Sequence, residues 1–115
     1  MSFIKDHIAQ MCTENPEYRE AYEEEVRLQQ EQAELRVKLM KQIVSLRKQR
    51  RLTQVDLAGR LHVSQARVSQ IEKGAEPVGI DSVLALLKAV KGNLVILSEE
   101  DLKKYGLEDK ALIHA

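Results

Sequence analysis

Thr53-Gln54-Val55-Asp56-Leu57-Ala58-Gly59-Arg60-Leu61-His62-Val63-Ser64-Gln65-Ala66-Arg67-Val68-Ser69-Gln70-Ile71-Glu72-Lys73-Gly74 is the stretch that decides the fold of this chain. It predicts two short helices joined by a tight turn. The Thr53 hydroxyl can accept from a backbone N–H of the first turn, and Asp56, three residues on, can reach back to complete a capping box. Leu57, Ala58 and Leu61 then form a narrow apolar stripe. The helix is expected to end near His62, where the turn needs left-handed backbone. Glycine adopts that conformation most cheaply, but histidine is enriched among the non-glycine residues that do so. Val63 is expected to point back to the core, and Ser64 to cap the second helix. Val68 and Ile71, three apart, share its buried face, and Gly74 closes it as a C-terminal cap.

The outward face of the second helix carries Gln65, Ala66, Ser69 and Gln70, flanked by Arg67 and Lys73. Glutamine can pair bidentately with adenine, and serine with several base edges. Alanine admits a thymine methyl, and arginine suits guanine or a phosphate. A short helix with such an edge fits the major groove of duplex DNA. The competing reading is an ordinary amphipathic pair with a solvated polar face, which periodicity alone favours. This face is short, rich in amides and poor in acid, whereas solvated faces usually mix Glu and Lys. Residue chemistry by itself leaves both readings open.

The same residues resemble the Cro/repressor-type (XRE) helix-turn-helix family over about residues 38–90. The resemblance rests on Leu52-Thr53-Gln54, Leu57-Ala58, Val63-Ser64-Gln65, Val68-Ser69 and Ile71-Glu72-Lys73-Gly74 at the family spacing. It implies an all-α fold: a lambda-repressor-like five-helix DNA-binding domain. It implies base contacts from Gln65, Ala66, Ser69 and Gln70. Gln54 would meet a phosphate and brace Gln65, and Ser64, Arg67 and Lys73 would add backbone contacts. Arg47 and Glu72 fall where family members often hold a semi-buried ion pair. His62 departs from the usual glycine, which touches the angle of the turn rather than the fold.

The chain has 115 residues and a formal net charge of zero. The zero hides an asymmetry. Residues 1–34 hold nine acids and three bases, residues 35–75 ten bases and two acids, and residues 76–115 seven acids and five bases. A basic middle that contains a helix-turn-helix is the footprint of a duplex binder. The acidic first third would repel phosphate and needs another explanation. One cysteine, Cys12, rules out an intramolecular disulfide and fits a reducing cytoplasm. No signal peptide or membrane-crossing run is read. His7, His62 and His114 are scattered without ligand spacing. No metal, cofactor or catalytic grouping is read, and the expectation is a protein that is not an enzyme.

Asn15-Pro16-Glu17 reads as a helix start, with Asn15 as the cap and Pro16 in the first turn. No Gly or Pro occurs from residue 17 to 58. This predicts a helix from about 16 to 50, with Gln29-Gln30 as the point where it could break. Its second half would open the DNA-binding domain, with Leu39, Ile43 and Leu46 facing the core. Its first half presents Tyr18, Tyr22 and Val26 beside Glu23, Glu24 and Glu25. That surface is either a solvated face packed on the domain or a docking arm for a basic partner, with tyrosines as anchors.

After Gly74, Asp81 or Ser82 is expected to open a helix that buries Val83, Leu84, Leu86, Leu87 and Val90, stopped by Lys91-Gly92-Asn93. Leu94-Val95-Ile96-Leu97 reads as a short strand. A lone strand leaves its backbone unpaired, so its expected partner is the same strand of a second copy. The alternative is a coil or helix packed on the domain. Ser98 signals a further short helix, Gly106 breaks it, and Leu112 and Ile113 could dock from the tail. The expected organisation is an acidic helical arm over 1–34, a DNA-binding domain over 35–92, a dimerisation strand over 93–98 and a tail over 99–115.

The whole layout also resembles HigA-type antitoxins, through Asn15-Pro16-Glu17-Tyr18-Arg19, the motif and Ile80-Asp81-Ser82-Val83-Leu84. A symmetric homodimer would set two copies of the second motif helix about 34 Å apart, one duplex turn, and so read an inverted-repeat operator, expected in the protein's own promoter. The HigA-type resemblance implies that the protein represses the operon it shares with a toxin. It further implies that the protein binds and blocks a small basic toxin that cleaves messenger RNA; charge complementarity makes the acidic arm, through Tyr18, Tyr22, Glu23 and Val26, the expected surface for it. Two alternatives stand beside it: a stand-alone XRE-family repressor without a toxin partner, and a HipB-like antitoxin directed at a kinase.

Overall fold

The computed structural model describes residues 2–107. They form six helices: α1 (Ser2–Glu14), α2 (Pro16–Gln49), α3 (Gln54–Leu61), α4 (Gln65–Lys73), α5 (Ile80–Ala89) and α6 (Glu99–Lys104). No strand occurs among the described residues. The chain divides into two compact units, Met1–Gln32 and Ala33–Ala115, and α2 contributes to both. It runs unbroken past Gln29-Gln30, because Glu, Gln, Arg, Leu and Lys are good helix formers.

In the first unit, Asn15 separates α1 from α2. Its Oδ1 accepts from the backbone N–H groups of Glu17 and Tyr18 at 3.1 and 3.2 Å. Two orphan donors of the new helix are thereby satisfied. The Tyr18 and Tyr22 rings stack, with centroids 6.4 Å apart and planes 8° from parallel. None of the described residues of this unit whose burial is known is fully buried.

The second unit holds the core. Met40 and Ile43 of α2, Leu57 and Ala58 of α3, Val68 and Ile71 of α4, and Val83, Leu86, Leu87 and Val90 of the α5 region are buried together. Leu39, Leu46 and Leu61 pack against them. Each helix supplies residues three or four apart, the spacing that puts them on one face. Arg47 is the one buried charged residue among those described.

Three of these helices end on a residue in the left-handed region that is not glycine: Arg51, His62 and Lys91, at φ 56°, 57° and 57°. At each, the next residue's N–H bonds back to the final turn: Leu52 to Arg47 O, Val63 to Ala58 O and Gly92 to Leu87 O, at 3.1, 3.1 and 2.8 Å. This is the Schellman arrangement. At the third of these ends the glycine does not supply the positive φ. Gly92 gives room instead, since a Cβ there would lie 2.8 Å from Leu46 Cδ1 and would displace that side chain.

Several expectations are corrected. Val63 is 41% exposed rather than in the core; its backbone, not its side chain, closes the turn. Leu84 is exposed on the outer side of α5. That helix begins at Ile80, capped by Gly79 with no side-chain hydrogen bond, ahead of Asp81 and Ser82. Leu94–Leu97 has no regular structure within the chain. A strand exists only through ladder bonds to another strand, and the described residues offer none. Ser98 does cap α6, accepting from Asp101 N at 3.1 Å. Leu112 and Ile113 lie outside the described residues.

Candidate nucleic-acid interface

Helices α3 and α4 are held by caps that the motif writes locally. Thr53 Oγ1 accepts from Asp56 N at 3.1 Å, while Thr53 N donates to Asp56 Oδ2 at 2.9 Å. That backbone N–H, with smaller help from the Thr53 hydroxyl and the Arg60 charge, holds the Asp56 carboxyl below its ordinary pKa. Between the helices, left-handed His62 turns the chain, and Ser64 Oγ accepts from Arg67 N at 3.1 Å. The second helix therefore starts at a defined angle to the first.

On α4, Val68 and Ile71 are buried, which fixes the direction of everything else. Gln65, Ala66, Arg67, Gln70 and Lys73 are exposed, and Ser69 is half-buried. Positions 65, 66, 69, 70 and 73 follow the spacing of one helix face. The face presents amides, a hydroxyl, a methyl and cations, and no acid. An α-helix with its side chains is roughly 10–12 Å across, which fits a major groove about 12 Å wide.

Glu72, the acid of α4, is turned inward. Its carboxylate accepts from Arg47 Nε at 2.7 Å, Arg47 Nη2 at 3.1 Å and Gln54 Nε2 at 2.8 Å. Arg47 Nη1 also donates to Leu52 O at 2.9 Å. One buried network thus joins the end of α2, the loop after it, the start of α3 and the last turn of α4. Gln54 enters it through its amide nitrogen. Gln54 is half-buried and lies at the wall of an open groove of about 440 Å³. Gln65 lines the same groove, together with Lys48 and Arg51. Those two cations were not singled out by sequence reasoning, although the run Arg47-Lys48-Gln49-Arg50-Arg51 was there to find.

The other site residues lie elsewhere. Tyr18 and Val26 are half-buried in the first unit, and Tyr22 and Glu23 are exposed. Tyr18, Tyr22 and Val26, at steps of four, share one face of α2. Exposed Arg27 and Glu24 pair at 3.7 Å, a contact worth little. Leu94, Val95 and Ile96 are exposed, and Leu97 is half-buried. Among the described residues, no helix is long and apolar enough to cross a membrane. No group of three His, Cys, Asp or Glu side chains is placed to hold a metal ion there.

A family model described as a helix-turn-helix domain matches residues 22–96. The match starts inside α2, well before the motif, and reaches the apolar segment after α5. Comparisons with curated proteins and with solved structures return no match.

Proposed function

The chain belongs to this helix-turn-helix domain family, and on that premise we propose that it is an antitoxin-type repressor of the XRE class with a lambda-repressor-like DNA-binding domain. As a homodimer it binds an inverted-repeat operator in front of its own gene, and its acidic arm neutralises a small basic toxin that cleaves messenger RNA. The observation that carries the DNA half is the acid-free face of α4, where Gln65, Ala66, Ser69 and Gln70 stand outward while Val68, Ile71 and Glu72 are held inward. Gln54, Ser64, Arg67 and Lys73 serve the phosphates beside that face.

A single short helix reads few bases and binds weakly. Two copies with recognition helices about 34 Å apart, one duplex turn, would read a palindrome. The exposed apolar run Leu94–Leu97 is the segment that would pair between copies. Dimerisation through it would cover surface that a monomer leaves in water.

The arm reading rests on charge and anchors. The first unit has an acid excess, no fully buried residue among those described, and two stacked tyrosines beside Glu23. An acidic surface speeds encounter with a cationic nuclease and aids selectivity. The HigA-type resemblance of Asn15-Pro16-Glu17-Tyr18-Arg19 supports the same partner.

Two measurements test the proposal. Fluorescence anisotropy with duplexes from upstream of the gene should show saturable binding, and flat traces even at low salt refute DNA recognition. Purification with the neighbouring gene product should return a stoichiometric small basic companion that is lost when residues 1–34 are removed. The absence of any companion would leave a stand-alone XRE-family repressor. A companion with kinase activity would indicate the HipB-like alternative.

A further inference from the structure

We propose that Arg36 is a positioning residue that sets the C-terminal half of the recognition helix against the bases; the proposal rests on the DNA-binding reading above. Arg36 lies on α2, before the motif and before the stretch that resembles the XRE family. Its Nε donates to Gly74 O at 2.8 Å, and its Nη2 donates to Ala75 O at 3.2 Å. These two carbonyls belong to the chain leaving α4, where a helix has no partners of its own to offer. A fork of two parallel donors fixes direction as well as distance, which a lysine cannot do.

The neighbouring residue fixes the same point by contact. Gly74 is buried at φ 68°, and a Cβ on it would lie 3.0 Å from Val37 Cα. The exit of α4 is therefore pressed onto the α2 backbone at Val37 and tied to it through Arg36. The start of α4 is held separately by Ser64, its buried face by Val68 and Ile71, and the inner side of its last turn by Glu72; the Arg36 clamp is the further tie on the exit itself. Ser69, Gln70 and Lys73 occupy the last turn and a half, nearest the Arg36 clamp. Loosening the exit would leave Gln65 and Ala66 in place and let these three drift. Arg36 spends two of its five N–H groups on carbonyls of its own chain, so the role proposed for it is exerted through α4; the salt dependence of binding separates that role from a direct phosphate contact.

The test uses the full chain and a duplex selected by the parent protein from a random DNA pool. Affinities are measured for that duplex and for versions with each base pair changed in turn. Arg36→Gln should lose about tenfold in preference at the positions that also respond to Gln70→Ala, the size of one mismatched pair. Preference at positions that respond to Gln65→Ala should stay unchanged, as should the dependence of affinity on salt. Arg36→Lys, which can reach one carbonyl, should fall between parent and Arg36→Gln, and it carries the test alone if the glutamine variant does not fold. Parental preference at every position in the folded variants would overturn the clamp. So would a salt slope lowered by about one, which marks a direct phosphate contact. Failure of the parent to select any duplex would instead overturn the DNA-binding reading itself.

Discussion

Arg47 and Glu72 meet at 2.7 Å with side chains only 10% and 6% exposed, so an ion pair nearly withdrawn from water joins the helix before the motif to α4. Such a pair gives little net stability against a well-packed apolar pair, but removing one member strands the other charge. Glu72 also accepts from Gln54, so its loss leaves donors on two elements unpaired. Glu72→Ala should therefore lower unfolding free energy by about 3–5 kcal/mol in urea titrations. The double change Arg47→Met with Glu72→Leu should recover most of that loss. A double variant as weak as the single one would show that the charge itself is needed.

The face proposed to read DNA predicts two kinds of contact. Gln65→Ala and Gln70→Ala should each weaken binding to the parental duplex by about 1–3 kcal/mol and relax base preference locally. Arg67→Ala and Lys73→Ala should weaken all sequences alike and lower the salt slope by about one each. Titrations of matched and scrambled duplexes at several salt concentrations distinguish the classes. Sequence-selective effects from Lys73 and uniform ones from Gln65 would reverse the assignment.

Much of this is legible in the sequence because the signals are local. Thr53, Asp56, Ser64 and Gly74 cap helices through bonds that span three residues, and Leu57, Val68 and Ile71 follow one period. What was not legible depends on distant chain. Arg36 is 38 residues from the carbonyl it holds, and nothing near it in sequence announces a helix exit. The bond from Gln54 to Glu72 spans 18 residues and forms because Glu72 is drawn inward by Arg47. Val63 looks like core by composition, yet the left-handed residue before it swings its side chain outward. Positive φ at Arg51 and Lys91 was hidden because neither residue type favours it.

Those left-handed positions make a prediction of their own. A side chain at positive φ carries roughly 1–2 kcal/mol of strain, partly offset by the greater freedom glycine has when unfolded. His62→Gly should thus raise stability by about 0.5–1 kcal/mol, seen as a higher midpoint in thermal melts. Gly74→Ala should do the reverse by more than about 1 kcal/mol, since its Cβ would press on Val37 backbone. Equal melting points for both variants would mean that the turns relax freely.

Asp56 makes stability depend on acid. Its folded-state pKa lies below its ordinary value, chiefly through the Thr53 backbone N–H. A depressed carboxyl contributes stability that is complete above the unfolded pKa of about 3.9 and is lost as pH falls through the folded value. The difference in melting point between parent and Asp56→Asn should be constant from pH 7 to about pH 5 and shrink below about pH 4. A difference that persists unchanged to the acid limit would assign the effect to the shape of the cap rather than to its charge.

The segment after α5 decides whether two copies join through it. Val95 is 67% exposed and Ile96 91% exposed, so replacing them disturbs no packing within the chain. In an antiparallel pair, alternate residues turn their N–H toward the partner. Proline at both Val95 and Ile96 removes two consecutive donors, so one of them must belong to the ladder whatever the register. The double variant should keep the parental melting curve at low concentration and sediment as a monomer. Its affinity for an inverted repeat should fall toward that for a single half-site, because the second helix no longer arrives with the first. A double variant that still sediments as a dimer would move the interface to another face and leave Leu94–Leu97 without a role in assembly.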